Sequence, residues 1–283
     1  MGSHLSRALL AAGYTVHGYR RVSSDLSRLR DIAPRLRWHT LPEELEGPFR
    51  GEIVPAAVIH CAGLYGRRGE SAAQMREANI ELPVRLHRLA AGCGVPVFLH
   101  TDTILAPELN EYAAGKHEAA SRLKDFGGSP RVVNLRVHHF YGPDDDQNKF
   151  IAALIARCLA NEAEIPLTAG QQRRDFIHVD DVASAFVAVL QQQLEAGGSG
   201  AGAEFEVGSG EAVEIRWLVE RIHALTRSRS RLAFGALPYR AHEAMFAEAD
   251  PTALRALGWR PRVSLEEGLQ QTIAAVMQER AKL

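Results

Sequence analysis

MGSHLSRALLAAGYTVHGYRR (residues 1–21) reads as a helix, a stop and a strand. Leu5, Ala8, Leu9 and Ala12 recur at helical spacing over residues 3–12, and Gly13 is placed to end the helix. Residues 14–19 follow as a short strand. In a doubly wound α/β sheet, the first strand runs into a glycine-rich turn, and the next helix points its N-terminus at a pyrophosphate. Gly2-Ser3-His4-Leu5 fits the close of such a turn, of the type TGxxGFIGSHL, with Gly2 as its third glycine. A tag remnant, the competing reading, does not explain why a helix of this kind follows without a gap. The expectation is therefore an N-terminally truncated dinucleotide fold. Its absent first strand belongs in the middle of the sheet, where unpaired backbone groups are costly.

The same alternation continues downstream. Residues 56–61 (AAVIHC), 95–100 (VPVFLH) and 131–137 (RVVNLRV) read as buried strands, and residues 71–91 and 112–126 as amphipathic helices. Near-continuous apolar strands between helices predict a Rossmann-type parallel sheet covered on both faces. Past residue 145 the pattern turns mixed, with helices near 149–160, 180–193 and 213–226 and a Gly/Ser-rich surface loop at 196–203. The division expected is a dinucleotide-binding domain over 1–145, then a region over 146–283 that adds late sheet elements and a substrate lobe. Hydrophobic residues make up 46% and charged residues 24% of the 283, with a net charge of −1, so nothing points to a nucleic-acid or membrane-surface partner. Three scattered cysteines, no signal sequence and no long apolar run predict a cytoplasmic protein.

Tyr112-Ala-Ala-Gly-Lys116 places a phenol and an ammonium on one helical face, where the cation favours the phenolate and makes the phenol an acid–base group. Alone, the spacing is weak. The preceding strand, however, ends in His100-Thr101-Asp102-Thr103, which can bring a hydroxyl beside the phenol. A metal site is not expected: His138-His139 point to opposite faces of a strand, and Asp144-Asp145-Asp146 reads as a solvated loop.

With these residues in view, the chain resembles the extended short-chain dehydrogenase/reductase family, of the NAD-dependent epimerase/dehydratase type. VIHCAG (58–63), Asn79, TDTILA (101–106), LRVHHFYGP (135–143), GQQRRDFIHVDDVA (170–183) and FEVGSGEAVEI (205–215) carry the resemblance in order, followed by residues 249–269. It implies that Tyr112 protonates a sugar carbonyl, that Lys116 holds the cofactor ribose and lowers the phenol's pKa, and that Thr101 bonds the reacting oxygen, with Thr103 as the fallback. Gly2, Ala62, Gly63, Asn79 and His139 are implied to line the cofactor. Arg174 and Arg240 are implied to clamp the substrate diphosphate, against the plainer reading of surface ion pairs. His139 stands where the family commonly has asparagine, and reads equally as a satisfied core histidine. Leu105 replaces a tyrosine of the family segment, and the stretch from Thr101 to Tyr112 is short.

The family runs several reactions. Dehydration needs an Asp-Glu pair after the threonine, and here Thr103 follows Asp102. Arg20, with Arg21 beside it, stands where an acid would bind the adenosine ribose, which favours NADP(H) with NAD(H) possible. The resemblance leans toward nucleotide-sugar 4-ketoreductases of deoxysugar biosynthesis. A 4-epimerase with retained NAD, or a non-catalytic dinucleotide-binding scaffold, are the alternatives. The implied assembly is a homodimer through helices 71–91 and 112–126.

Overall fold

The computed structural model describes residues 1–197, 202–241 and 243–281. In chain order the elements begin α1 (Gly2–Ala11), β1 (His17–Arg21), β2 (Arg37–Leu41), β3 (Val58–His60), α2 (Ala72–Arg76), α3 (Leu82–Gly92), β4 (Val97–Thr103), α4 (Glu111–Asp125) and β5 (Arg131–Val137). They continue with β6 (His139–Tyr141), α5 (Phe150–Leu159), β7 (Glu164–Leu167), β8 (Arg173–His178), α6 (Val179–Glu195), β9 (Ala203–Val207) and β10 (Ala212–Glu214). The last are α7 (Ile215–Leu225), β11 (Arg231–Phe234), β12 (Phe246–Ala247), α8 (Thr252–Ala256) and α9 (Leu265–Arg280). Half of the loop expected at 196–203, residues 198–201, lies outside the described residues. The chain divides into two compact units, one of Met1–Val137, Ala183–Phe205 and Ala256–Trp259, the other of His138–Val182, Glu206–Arg255 and Arg260–Leu283.

In the first unit, α1 buries Leu5, Leu9 and Leu10. The strand expected from Tyr14 starts at His17 instead. Gly13 has a φ of +87°, and the Tyr14 amide still bonds back to the Leu9 carbonyl at 3.0 Å, so Tyr14 closes the helix. The helix expected over 71–91 is likewise interrupted. Ser71 and Gln74 cap α2 reciprocally, but Glu77–Glu81 form a π-helical turn before α3. Pro83, in the first turn of α3, has no N–H for the carbonyl one turn back, which lets that turn widen.

β3, β4, β5 and β9 form one sheet in that order, while β1 and β2 form a separate parallel pair. Among the described residues no ladder joins β1 to β3. β4, flanked on both sides, is buried at all seven positions, whereas β1 and β3 stay partly exposed. Tyr19 of β1 and Val58 of β3 nevertheless pack against the same cluster of Leu86, Phe98 and Leu123.

The second unit is built around β8, which pairs with β6 and β12 in parallel and with β10 antiparallel. α5, α7 and α9 bury its core, with Tyr141, Ile155, Leu218, Ile222 and Leu269 at the centre. Asp175, fully buried on β8, ties in the neighbouring loops by accepting from the Ser209, Gly210 and Ala249 amides at 2.8, 2.7 and 3.2 Å.

Candidate active site

In the first unit, Tyr112 and Lys116 project from the start of α4, whose N-cap Asn110 accepts the Ala113 amide at 2.8 Å. The Lys116 side chain is 1% exposed and its Nζ has no hydrogen-bond partner among the described residues. Burial pulls its pKa down from 10.5 to about 8, against the opposing pull of Asp102 and Cys61. The Thr101 hydroxyl is likewise buried and unpartnered. Thr103 differs, because its Oγ1 accepts the Leu105 amide at 3.2 Å. The Thr103 hydroxyl keeps its own hydrogen, so both threonines have a donor to give, and Thr101 is the one whose oxygen is wholly unengaged among the described residues. A buried ammonium and hydroxyl without partners are costly. They suit a ligand that brings its own oxygens, and the ribose of a nicotinamide cofactor is chemically such a ligand.

Burial raises the Tyr112 pKa well above 10, and the second and third causes lie in Tyr65, which also shares a hydrogen bond with it. The two rings sit 4.4 Å apart between centroids, tilted by 31°. With Gly66, Glu70, Met75, Asn110 and Glu111 they line a cleft of about 220 Å³. The Arg67 guanidinium lies 5.6 Å over the Tyr65 ring and opposes the upward shift of Tyr112. Tyr65 went unread in the sequence, since it belongs to no spacing pattern and follows the turn after β3.

Asn79 is buried in the π-helical turn with both amide atoms used, Oδ1 accepting from the Leu64 amide at 2.8 Å and Nδ2 donating to its carbonyl at 2.9 Å. It pins the Ala62-Gly63-Leu64 loop. A Cβ on Gly63 would stand 3.4 Å from both Asn79 Oδ1 and the Tyr112 ring. Gly2 opens α1 without a side-chain cap, and a Cβ there would stand 3.6 Å from Cys61 Sγ at the end of β3. Uncapped first-turn amides suit an anion. Beside Lys116, the His60 and His100 rings stack at 5.3 Å, and burial holds both well below the usual imidazole range, so they are neutral. Asp102, 3% exposed, accepts from the Thr103 amide at 2.8 Å and from Asn134 Nδ2 at 3.0 Å.

Arg20 is half-buried near the end of β1, 5.8 Å over the Trp38 ring, and Arg21 is exposed. In the second unit His139 sits on β6 against Phe176, and burial, reinforced by Arg174, lowers its pKa to about 4. Arg174, on β8, is buried and engaged: Nη1 donates to the Arg173 carbonyl at 2.8 Å, and Nη2 to Glu243 at 2.5 Å and to the Ala244 carbonyl. Arg240 lies on the segment after β11, where its carbonyl accepts the Glu243 amide at 3.1 Å.

The sequence profile of the NAD dependent epimerase/dehydratase family matches residues 1–208. CDP-abequose synthase from Salmonella muenchen is 28% identical over 97% of this chain and 94% of its own length. dTDP-L-rhamnose 4-epimerase from Burkholderia thailandensis is 34% identical over 51% of this chain and 39% of its own. Among solved structures, the UDP-glucose 4-epimerase of Thermus thermophilus in complex with NAD superposes with a TM-score of 0.80 and 24% identity, over 98% of this chain and 95% of that one. A Rossmann-type α/β architecture is thus common to both.

Proposed function

As this chain belongs to the NAD dependent epimerase/dehydratase family, we propose that it reduces the 4-keto group of a nucleoside-diphosphate 6-deoxyhexose, with NADP(H) favoured over NAD(H). The observation that carries the reading is the Tyr112–Lys116 pair, a phenol lining a cleft and a buried ammonium with no hydrogen-bond partner among the described residues. The bound nicotinamide supplies hydride. Tyr112, neutral throughout the working pH range, gives its proton to the carbonyl oxygen, and Thr101 donates a hydrogen bond to that oxygen as charge develops on it. Lys116 holds the ribose hydroxyls and favours the phenolate left by proton transfer. Gly2 with the α1 N-terminus and the Ala62–Gly63 turn, steadied by Asn79, receive the cofactor, with Arg20 and Arg21 facing the adenosine end. Arg174 and Arg240 serve the substrate diphosphate, and His139, held neutral by burial, contacts the substrate or the nicotinamide. The full-length similarity to CDP-abequose synthase supports a ketoreductase acting on a nucleotide sugar. The half-length similarity to dTDP-L-rhamnose 4-epimerase favours a second reading, 4-epimerisation with retained NAD. We place the protein in the cytoplasm as a homodimer through the helical stretches 71–91 and 112–126.

The test is incubation with NADPH and CDP- or dTDP-4-keto-6-deoxyhexoses, followed at 340 nm. Stoichiometric NADPH oxidation with a 4-hydroxy product is the expected result. Interconversion of 4-hydroxy sugars without net NADPH consumption would replace it with the epimerase reading.

A further inference from the structure

Net reduction of a carbonyl consumes one proton per turnover, whereas 4-epimerisation gives back the proton that it removes. If Tyr112 is the acid of a reductase, its phenolate must be refilled from solvent in every cycle. The groups around the phenol differ in how they could do this. Lys116 is 1% exposed with no hydrogen-bond partner among the described residues, so a proton given from there would itself need replacing. The Thr101 hydroxyl is likewise buried and unpartnered, and Asn79 spends both amide atoms on Leu64. Tyr65 is different: it is hydrogen-bonded to Tyr112 and, at 37% exposure, open to solvent. Its ring lies 4.4 Å from that of Tyr112, on the same cleft. We propose that Tyr65 is a proton-relay residue, acting through Tyr112: its hydroxyl refills the Tyr112 phenolate after each reduction and is refilled in turn from solvent.

Atoms and charges balance at each step. The Tyr112 O–H breaks as the O–H of the product alcohol forms. The Tyr65 O–H then breaks as the Tyr112 O–H is restored, and the Tyr65 phenolate takes a proton from water or a buffer acid. A phenol suits this task because one hydroxyl both donates and accepts. In the resting pair the shared bond favours protonated Tyr112, which makes Tyr112 the donor. Once Tyr112 has given its proton away, its oxygen becomes an acceptor, and rotation of the Tyr65 hydroxyl reverses the bond. The negative charge thereby moves from the enclosed phenol to the one that water reaches. Arg67, 5.6 Å over the Tyr65 ring, stabilises it there. Of the other charged groups at the pair, Lys116 also favours phenolate, Asp102 opposes it at Tyr112, and Glu70 and Glu111 line the same cleft.

This rests on the reductase reading, and the test separates the two. Tyr65→Phe and Tyr65→His are compared with the wild type by rapid mixing with NADPH and the 4-keto sugar, folding being checked by circular dichroism. Resting Tyr65→Phe still holds the Tyr112 proton, so its first turnover should run near the wild-type rate. Later turnovers wait for the refill, and the steady rate should fall by about tenfold or more. Imidazole buffer, which carries exchangeable protons near neutral pH, should restore that steady rate as its concentration rises, with no effect on the wild type. Tyr65→His, which keeps a titratable ring, should retain most of the steady rate. Apart from turnover, Tyr112→Phe should move the ultraviolet titration of Tyr65 to higher pH, because the hydroxyl that stabilises its phenolate is gone. An unmoved Tyr65 titration overturns the proposal. So does a Tyr65→Phe steady rate equal to wild type, a loss that buffer does not restore, or an equal loss in the first turnover. A wild type that interconverts 4-hydroxy sugars without consuming NADPH has no proton to replace, and it defeats the functional reading and this inference together. Wild-type reduction beside any of the earlier failures defeats the relay alone.

Discussion

Replacing Lys116 by methionine should stabilise the free protein while destroying the enzyme. The ammonium is buried at 1% exposure without a hydrogen-bond partner among the described residues, and burial moves its pKa from 10.5 in the open chain to about 8 in the fold. That difference corresponds to about 3 kcal/mol of folding free energy spent on keeping the group charged in the interior. The direction with pH follows from proton counting. Below pH 8 both states hold the proton and the whole cost is present. Between pH 8 and 10.5 the unfolded chain still holds the proton that the fold has released, so stability rises with pH through that window. Methionine fills the same length without a charge. Urea unfolding of both proteins should show Lys116→Met ahead by up to about 3 kcal/mol at pH 7, with the lead shrinking as pH climbs past 8 toward 10.5. Comparing the two at each pH removes contributions from other titrating groups. A lead that does not vary with pH, or a variant less stable than wild type at pH 7, would refute the claim that Lys116 is held charged at a cost.

Two further expectations concern the cofactor end and the phenol. Arg20→Asp should raise the ratio of NADPH to NADH dissociation constants by about tenfold or more, measured by cofactor fluorescence. An unchanged ratio would remove the argument for NADP(H). Tyr65→Phe removes a hydroxyl that pushes the Tyr112 pKa up, so the alkaline limb of the Tyr112 ultraviolet titration should move to lower pH. A limb that stays put or moves upward would mean that Tyr65 does not act on the phenol.

Local signals carried much of this fold. β5 occupies the predicted 131–137, because Val132, Val133, Leu135 and Val137 favour an extended, largely buried strand. The helix from 71 was readable, but its π-helical turn was not, because a proline is tolerated in a first turn and nothing local says a new segment starts there. The Tyr112–Lys116 spacing was readable because a helix converts sequence distance into shared facing. Tyr65 was not, since its contact with Tyr112 spans 47 positions and depends on how the β3 loop returns. Nor was Arg174's engagement. A basic residue before an aspartate looks the same whether its anion comes from a substrate or from Glu243, 69 positions on.

The separation of β1 from β3 bears on how the molecule behaves in company. Each bordering strand presents a row of amides and carbonyls at the repeat any extended chain can match, the geometry from which aggregation is templated. β1 carries Arg20 and Arg21, and repeated charge of this sort discourages strand addition. Val58-Ile59-His60 carries no charge at neutral pH, with His60 held neutral by burial, and has only its three-residue length as protection. The purified chain's tolerance of concentration should therefore depend on β3, a handful of backbone groups that ends one residue before Cys61 and the turn of the candidate site.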